Sequence, residues 1–173
     1  MKKELELKLV KLYPEILQDY GGDMTKTCMA WGMSHGNGWY NIIEELLQTL
    51  DKITANKNEK VVADQIKEKF GGLRFYYHVE GYEPNMFDKF RSSFWTFMIR
   101  HKWGVAYNKI IDFKQIFFKS IQEKIRDAVH HAESKSYKTC EICSEPGKTR
   151  GRAWRTTQCE KCYFKSIKNN PVD

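Results

Sequence analysis

Hydrophobic positions change their period several times along the chain, and each change marks an element. Between residues 2 and 20, Leu5, Leu9, Leu12, Ile16 and Leu17 recur at helical spacing among charged residues, with Pro14 interrupting them. This predicts two short helical pieces or one kinked helix, ended by Gly21, Gly22 and Asp23. Trp39, Ile42, Ile43, Leu46, Leu47, Leu50 and Ile53 then form a continuous apolar stripe. They predict an amphipathic helix starting near Asn37. Further on, Leu73, Phe75, Tyr77 and Val79 alternate with Arg74, Tyr76 and His78, the period of a half-buried strand. A Gly71-Gly72 turn would pair that strand with residues 60–70. In this first arm Val62, Ile66 and Phe70 also suit a helix, and strand is the preferred reading.

Over residues 85–119 the composition turns basic and densely aromatic. Phe87, Phe90, Phe94 and Phe97 recur at helical spacing, and Ile110, Phe113, Phe117, Ile121 and Ile125 continue the pattern toward Val129. A helical hairpin turning near Trp103-Gly104, with a long second helix reaching about Ser134, is expected. Together the patterns predict an α+β fold of helices on a small antiparallel hairpin or sheet. The chain divides into a core over 1–80, a helical insert and returning helix over 81–136, and a terminal module over 137–173.

That module contains the sharpest chemical signal. Cys140, Cys143, Cys159 and Cys162 form a C-x2-C-x15-C-x2-C array, the spacing at which two short knuckles converge on one tetrahedral Zn²⁺. A treble-clef or zinc-ribbon-like module is expected. Four sulfur ligands leave no open position for water, so the ion's role would be structural. Paired disulfides are the alternative, but the odd fifth cysteine, Cys28, and the lack of a secretory signal favour a reducing cytoplasm. No apolar run nears the ~20 residues of a membrane span.

The formal charge of +7 becomes about +5 once four thiolates bind one Zn²⁺. Such a balance suits phosphate-bearing partners, though it also serves solubility. Three places could carry such binding. Gly36, Asn37 and Gly38 precede a helix, where free N–H groups can hold an anion with His35 as a further donor; alternatively Asn37 is an N-cap and Trp39 a core anchor. Lys69, Arg74 and Tyr76, near the Gly-Gly turn, could pair a phosphate and stack a base, or form a solvated hairpin tip. Lys148, Arg150, Arg152 and Arg155 surround Trp154 inside the cysteine array and could track a nucleic-acid backbone, or belong to a local folding device. The aromatic insert reads as core or as a subunit interface, which makes a homo-oligomer an expectation.

Catalysis is not expected. His130 and His131 are adjacent on a helix, about 100° apart, and cannot readily chelate one metal. His35, His78 and His101 have no motif-spaced acid or nucleophile.

The segments Cys28-Met29-Ala30-Trp31-Gly32, Gly36-Asn37-Gly38-Trp39-Tyr40, and Lys67-Glu68-Lys69-Phe70-Gly71-Gly72-Leu73-Arg74-Phe75-Tyr76, followed by the four cysteines, resemble a family of small phage and prophage proteins. The likeness covers about 28–77 and 121–162, and the region 81–119 departs from it. The resemblance implies a phage-type accessory protein acting in the bacterial host cytoplasm, not a reaction. Proteins of this kind include nucleic-acid binders, inhibitors of host proteins and sponges for nucleotide immune signals. The expectation is therefore a non-catalytic binder of nucleic acid or a nucleotide second messenger, with a host-protein inhibitor and a nucleotide hydrolase as alternatives.

Overall fold

The computed structural model describes residues 1–81, 120–151 and 154–169. Helix α1 spans Lys3–Leu12 and buries Leu9. It does not continue beyond Pro14. The preceding Tyr13 leaves helical geometry at φ −130° and ψ 59°, because the proline ring disfavours the helical region for the residue before it. Ile16 and Leu17 therefore reach the core from a turn rather than from a second helical piece. The Ile16 carbonyl accepts from Ala63 N at 2.8 Å, tying this turn to the sheet.

Short 3-10 turns at Cys28–Trp31 and Asn37–Trp39 lead into α2, Tyr40–Thr54. Trp39, Ile42, Ile43, Leu46, Leu47 and Leu50 are all buried, as the apolar stripe requires. Strands β1, Lys60–Lys69, and β2, Gly72–Glu80, pair antiparallel from Lys60 opposite Glu80 to Lys69 opposite Gly72, with a bulge between Ala63 and Gln65. The first arm is thus a strand. The turn lies one residue earlier than the Gly-Gly reading: Phe70 and Gly71 are its two central residues, at φ +55° and +80°. Both being left-handed makes this the hairpin turn whose twist matches the strands.

Helix α3, Ile121–Ser136, packs against α2 and β2 through Ile125, Val129 and Ala132. It begins at a capping box: Ser120 Oγ accepts from Glu123 N at 3.2 Å, and Glu123 Oε2 accepts from Ser120 N at 2.8 Å. Ser120 is extended, so α3 starts at this box instead of running through Ser120 from upstream as the periodicity suggested. The remainder of the expected insert, including the turn near Trp103-Gly104, lies outside the described residues.

After α3 come a cysteine knuckle, the short hairpin β3, Lys148–Arg150, with β4, Thr156–Gln158, and helix α4, Glu160–Asn169. The described fold is α+β: four helices, the β1–β2 sheet and this small terminal module.

Candidate metal centre and its docking surface

Cys140 and Cys143 lie on the knuckle, Cys159 immediately before α4, and Cys162 in its first turn. Knuckle, hairpin and helix N-terminus together correspond to the treble-clef form of the expected module. All four Sγ atoms fall within 4.8 Å of one another. The Cys143 sulfur is 3.6 Å from that of Cys159 and 3.5 Å from that of Cys162. A tetrahedral ion with ~2.3 Å sulfur bonds sets its ligands roughly 3.8 Å apart, so the arrangement fits one metal ion. The cysteines are free thiols in the structure.

The sulfurs ionise unequally. Burial opposes charge on Cys140, but N–H groups of Cys159, Cys143 and Ile142 directed at its sulfur win, lowering its pKa from 9.0 to about 7. Cys162 is pushed up to about 12, first by burial and then by the neighbouring thiols of Cys143, Cys159 and Cys140. A cation at the centre would relieve this mutual suppression by stabilising every thiolate, and binding would release protons.

The two glycine motifs are built against this module. Gly38 N donates to the Glu141 carbonyl at 2.6 Å, Ser144 Oγ donates to the Gly38 carbonyl at 2.8 Å, and Trp39 Nε1 donates to the Thr139 carbonyl at 2.8 Å. A Cβ on Gly38 would stand 2.1 Å from the Cys140 carbonyl oxygen, and one on Gly36 would stand 2.3 Å from that of Glu141. No side chain fits there. At the hairpin, Leu73 N donates to Ser136 Oγ at 2.8 Å, and a Cβ on Gly72 would sit 2.3 Å from the Tyr137 ring. Gly71 offers its carbonyl to Thr157 Oγ1 at 2.5 Å.

This docking determines the surroundings of the sequence-predicted residues. Of the N–H groups expected to cradle an anion, that of Gly36 donates to the carboxylate oxygen Oε1 of Glu141 at 2.8 Å and that of Gly38 to the Glu141 backbone carbonyl. Burial raises the pKa of Glu141, with Glu68 nearby adding to it, while the Gly36 N–H and the Met1 α-ammonium oppose. Asn37 does not cap α2; its Oδ1 accepts from Lys2 N at 2.8 Å, at the start of α1. His35 is buried, stacked on Trp39 at 6.1 Å, with Nδ1 against the Gly36 carbonyl and Nε2 without a hydrogen-bond partner among the described residues. Burial lowers its pKa to about 4; the Gly36 carbonyl opposes this and the α-ammonium adds to it. Trp39 is fully buried.

Arg74 is held by Tyr137 Oη at 2.6 Å and by its neighbour's carbonyl, Leu73 O, at 2.8 Å, with Glu133 at 4.0 Å. Arg150 lies over the Tyr163 ring at 4.6 Å and donates to the Gln158 carbonyl at 3.3 Å, joining the short hairpin to α4. Lys69, Tyr76, Lys148 and Arg155 remain exposed, while Arg152 lies outside the described residues. His35, Asn37 and Trp39 are thus brought together under the knuckle, whereas Lys69 and Tyr76 stay on the open hairpin. Sequence reasoning missed Glu141 and Tyr137. Neither belongs to a motif, and only the closeness of the paired glycines hinted at a backbone approaching them.

No protein-family model, curated protein or solved structure matches the chain.

Proposed function

We propose that the protein is a non-catalytic, zinc-stabilised accessory protein of phage type that binds a phosphate-bearing ligand, with nucleic acid favoured over a nucleotide signal. The observation that carries this reading is the division of its charges. The enclosed N–H cradle is filled by Glu141, whereas Lys67, Lys69, Lys148 and Arg155 have no carboxylate within ion-pair distance among the described residues. An open basic surface suits an extended polyanion; a small nucleotide calls for an enclosed site. Zinc is the ion proposed for the four sulfurs, since soft thiolates in a tetrahedron select it, and the complete ligand set supports a structural role. The resemblance of the glycine and cysteine motifs supports action in the cytoplasm of an infected bacterium.

Native mass spectrometry of the metal-loaded chain, alone and mixed with cyclic and linear nucleotides and short oligonucleotides, tests this reading. A stoichiometric oligonucleotide adduct on a zinc-containing chain is expected. A panel with no adduct at low salt would overturn phosphate binding.

Ile142, Phe164 and Ile167 favour a second reading, capture of a host protein, because all three apolar side chains are exposed on the terminal module. Binding through them would tolerate added salt, whereas polyanion binding would weaken steeply.

A further inference from the structure

We propose that the tip of the β1–β2 hairpin, together with Trp154 and Arg155 just ahead of β4, forms a binding face for single-stranded nucleic acid; this rests on the phosphate-ligand reading above and specifies its substrate class. The two hairpins touch. Thr157 Oγ1 donates to the Gly71 carbonyl, and a Cβ on Gly71 would come within 2.8 Å of Thr149 Cγ2. A Cβ on Gly71 would also lie 3.5 Å from the Thr156 carbonyl carbon, so Phe70, next to Gly71, and Arg155, next to Thr156, flank this contact, with Trp154 adjoining Arg155.

Large apolar rings are presented to solvent here. Trp154 is 87% exposed and Phe70 62%. Phe70 also occupies a left-handed turn position at φ +55°, where bulky side chains are disfavoured and glycine or asparagine is the usual occupant. Core packing gives no reason for an aromatic there, because the ring faces water. An exposed aromatic held in a strained turn is a feature that ligand contact explains.

Cations accompany the rings. The Lys69 ammonium lies 5.4 Å from the centre of the Phe70 ring, and that of Lys67 lies 5.3 Å from the centre of Tyr76. Glu68, the acid between these lysines, accepts from Gly71 N at 2.5 Å and is engaged in the turn. Each ring and ammonium pair matches one nucleotide of an unpaired strand, with the base stacking on the ring and the adjacent phosphate meeting the cation. In a duplex the bases are stacked on each other and offer no free face. These two pairs, with the Trp154 ring beyond them, would engage successive nucleotides.

The test is fluorescence anisotropy of the metal-loaded full chain with a labelled oligothymidylate of roughly 20 nucleotides, longer than a typical ~4–16-nucleotide site, and with a duplex of equal length. The single strand is expected to bind at least about tenfold more tightly than the duplex, through stacking that only the unpaired bases provide. Trp154→Ala and Phe70→Ala should each weaken it about fivefold or more. Lys69→Ala should flatten the salt dependence by about 0.7 in log–log slope, the release expected for one single-strand phosphate. Metal content and circular dichroism of each variant verify folding, and the exposed Trp154 gives a variant that leaves the core intact. Equal binding of duplex and single strand with neutral aromatic variants overturns the single-strand inference and leaves phosphate binding standing. Adducts with mononucleotides alone in the mass-spectrometric panel do the same, while retention of no phosphate compound in that panel at low salt overturns both.

Discussion

His35 shows how one buried side chain couples stability to pH. Its folded pKa of about 4 lies below its ordinary 6.5, so the unfolded chain binds the extra proton between those values. The contribution is intact above about pH 6.5 and is lost as pH falls toward 4, with a total of roughly 3 kcal/mol. His78 has the opposite sign. The hydrogen bond to Asp64 at 2.7 Å raises its pKa, with Glu80 adding and burial opposing; its stabilisation is present at acid pH and declines as pH rises through the folded value. NMR titration should find the His35 ring neutral at pH 5 and the His78 ring still protonated above its usual midpoint. A His35 midpoint near 6.5 would contradict the burial. The glycines are equally specific. Gly38→Ala should cost roughly 1–3 kcal/mol or more, as overpacking does, because its methyl would strike the Cys140 carbonyl at 2.1 Å. Thermal unfolding combined with metal retention measures that loss.

Among the elements, α3 depends on its start. Ser120→Ala removes the acceptor for Glu123 N and should destabilise the protein by about 1 kcal/mol, read from chemical denaturation. The S-x-x-E pattern was present in the sequence, yet the apolar periodicity running from Ile110 to Val129 masked it. The β1–β2 hairpin was legible from its alternation, but its turn was displaced by one residue. Two adjacent glycines look like one turn; in the fold Gly71 turns the chain and Gly72 begins β2, leaving room for the Tyr137 ring. A double-mutant cycle should expose that division. Gly72→Ala is expected to cost clearly less in a Tyr137→Ala background, and equal costs in both backgrounds would refute the contact.

At the scale of the whole molecule, metal binding and core packing are one problem. Trp39, the largest fully buried side chain among the described residues, donates its indole N–H to the Thr139 carbonyl beside the knuckle. Chelation of the metal should therefore disturb more than the terminal module. Hydrogen exchange is expected to accelerate at residues 36–40 and 71–73 as well as around the cysteines, and tryptophan emission should shift to the red. Metal affinity should also fall on acidification, because the thiols must lose protons to bind. A chelator competition across pH checks this, and a flat profile would contradict thiolate ligation.

The sequence alone determined the four-cysteine cluster, the apolar faces of α2 and β2, and the α+β class, because each depends on spacing along the chain and local geometry converts spacing directly into a face or a knuckle. Contacts between segments about a hundred residues apart were decided only by the tertiary structure. Spacing could suggest that Gly36, Asn37 and Gly38 make an anion cradle, but it could not reveal that the anion is Glu141. Nor could it separate Arg74 and Arg150, committed to internal partners, from Lys69 and Arg155, which face solvent. A basic residue has the same charge in every local pattern, and whether that charge is available depends on which distant group folds against it.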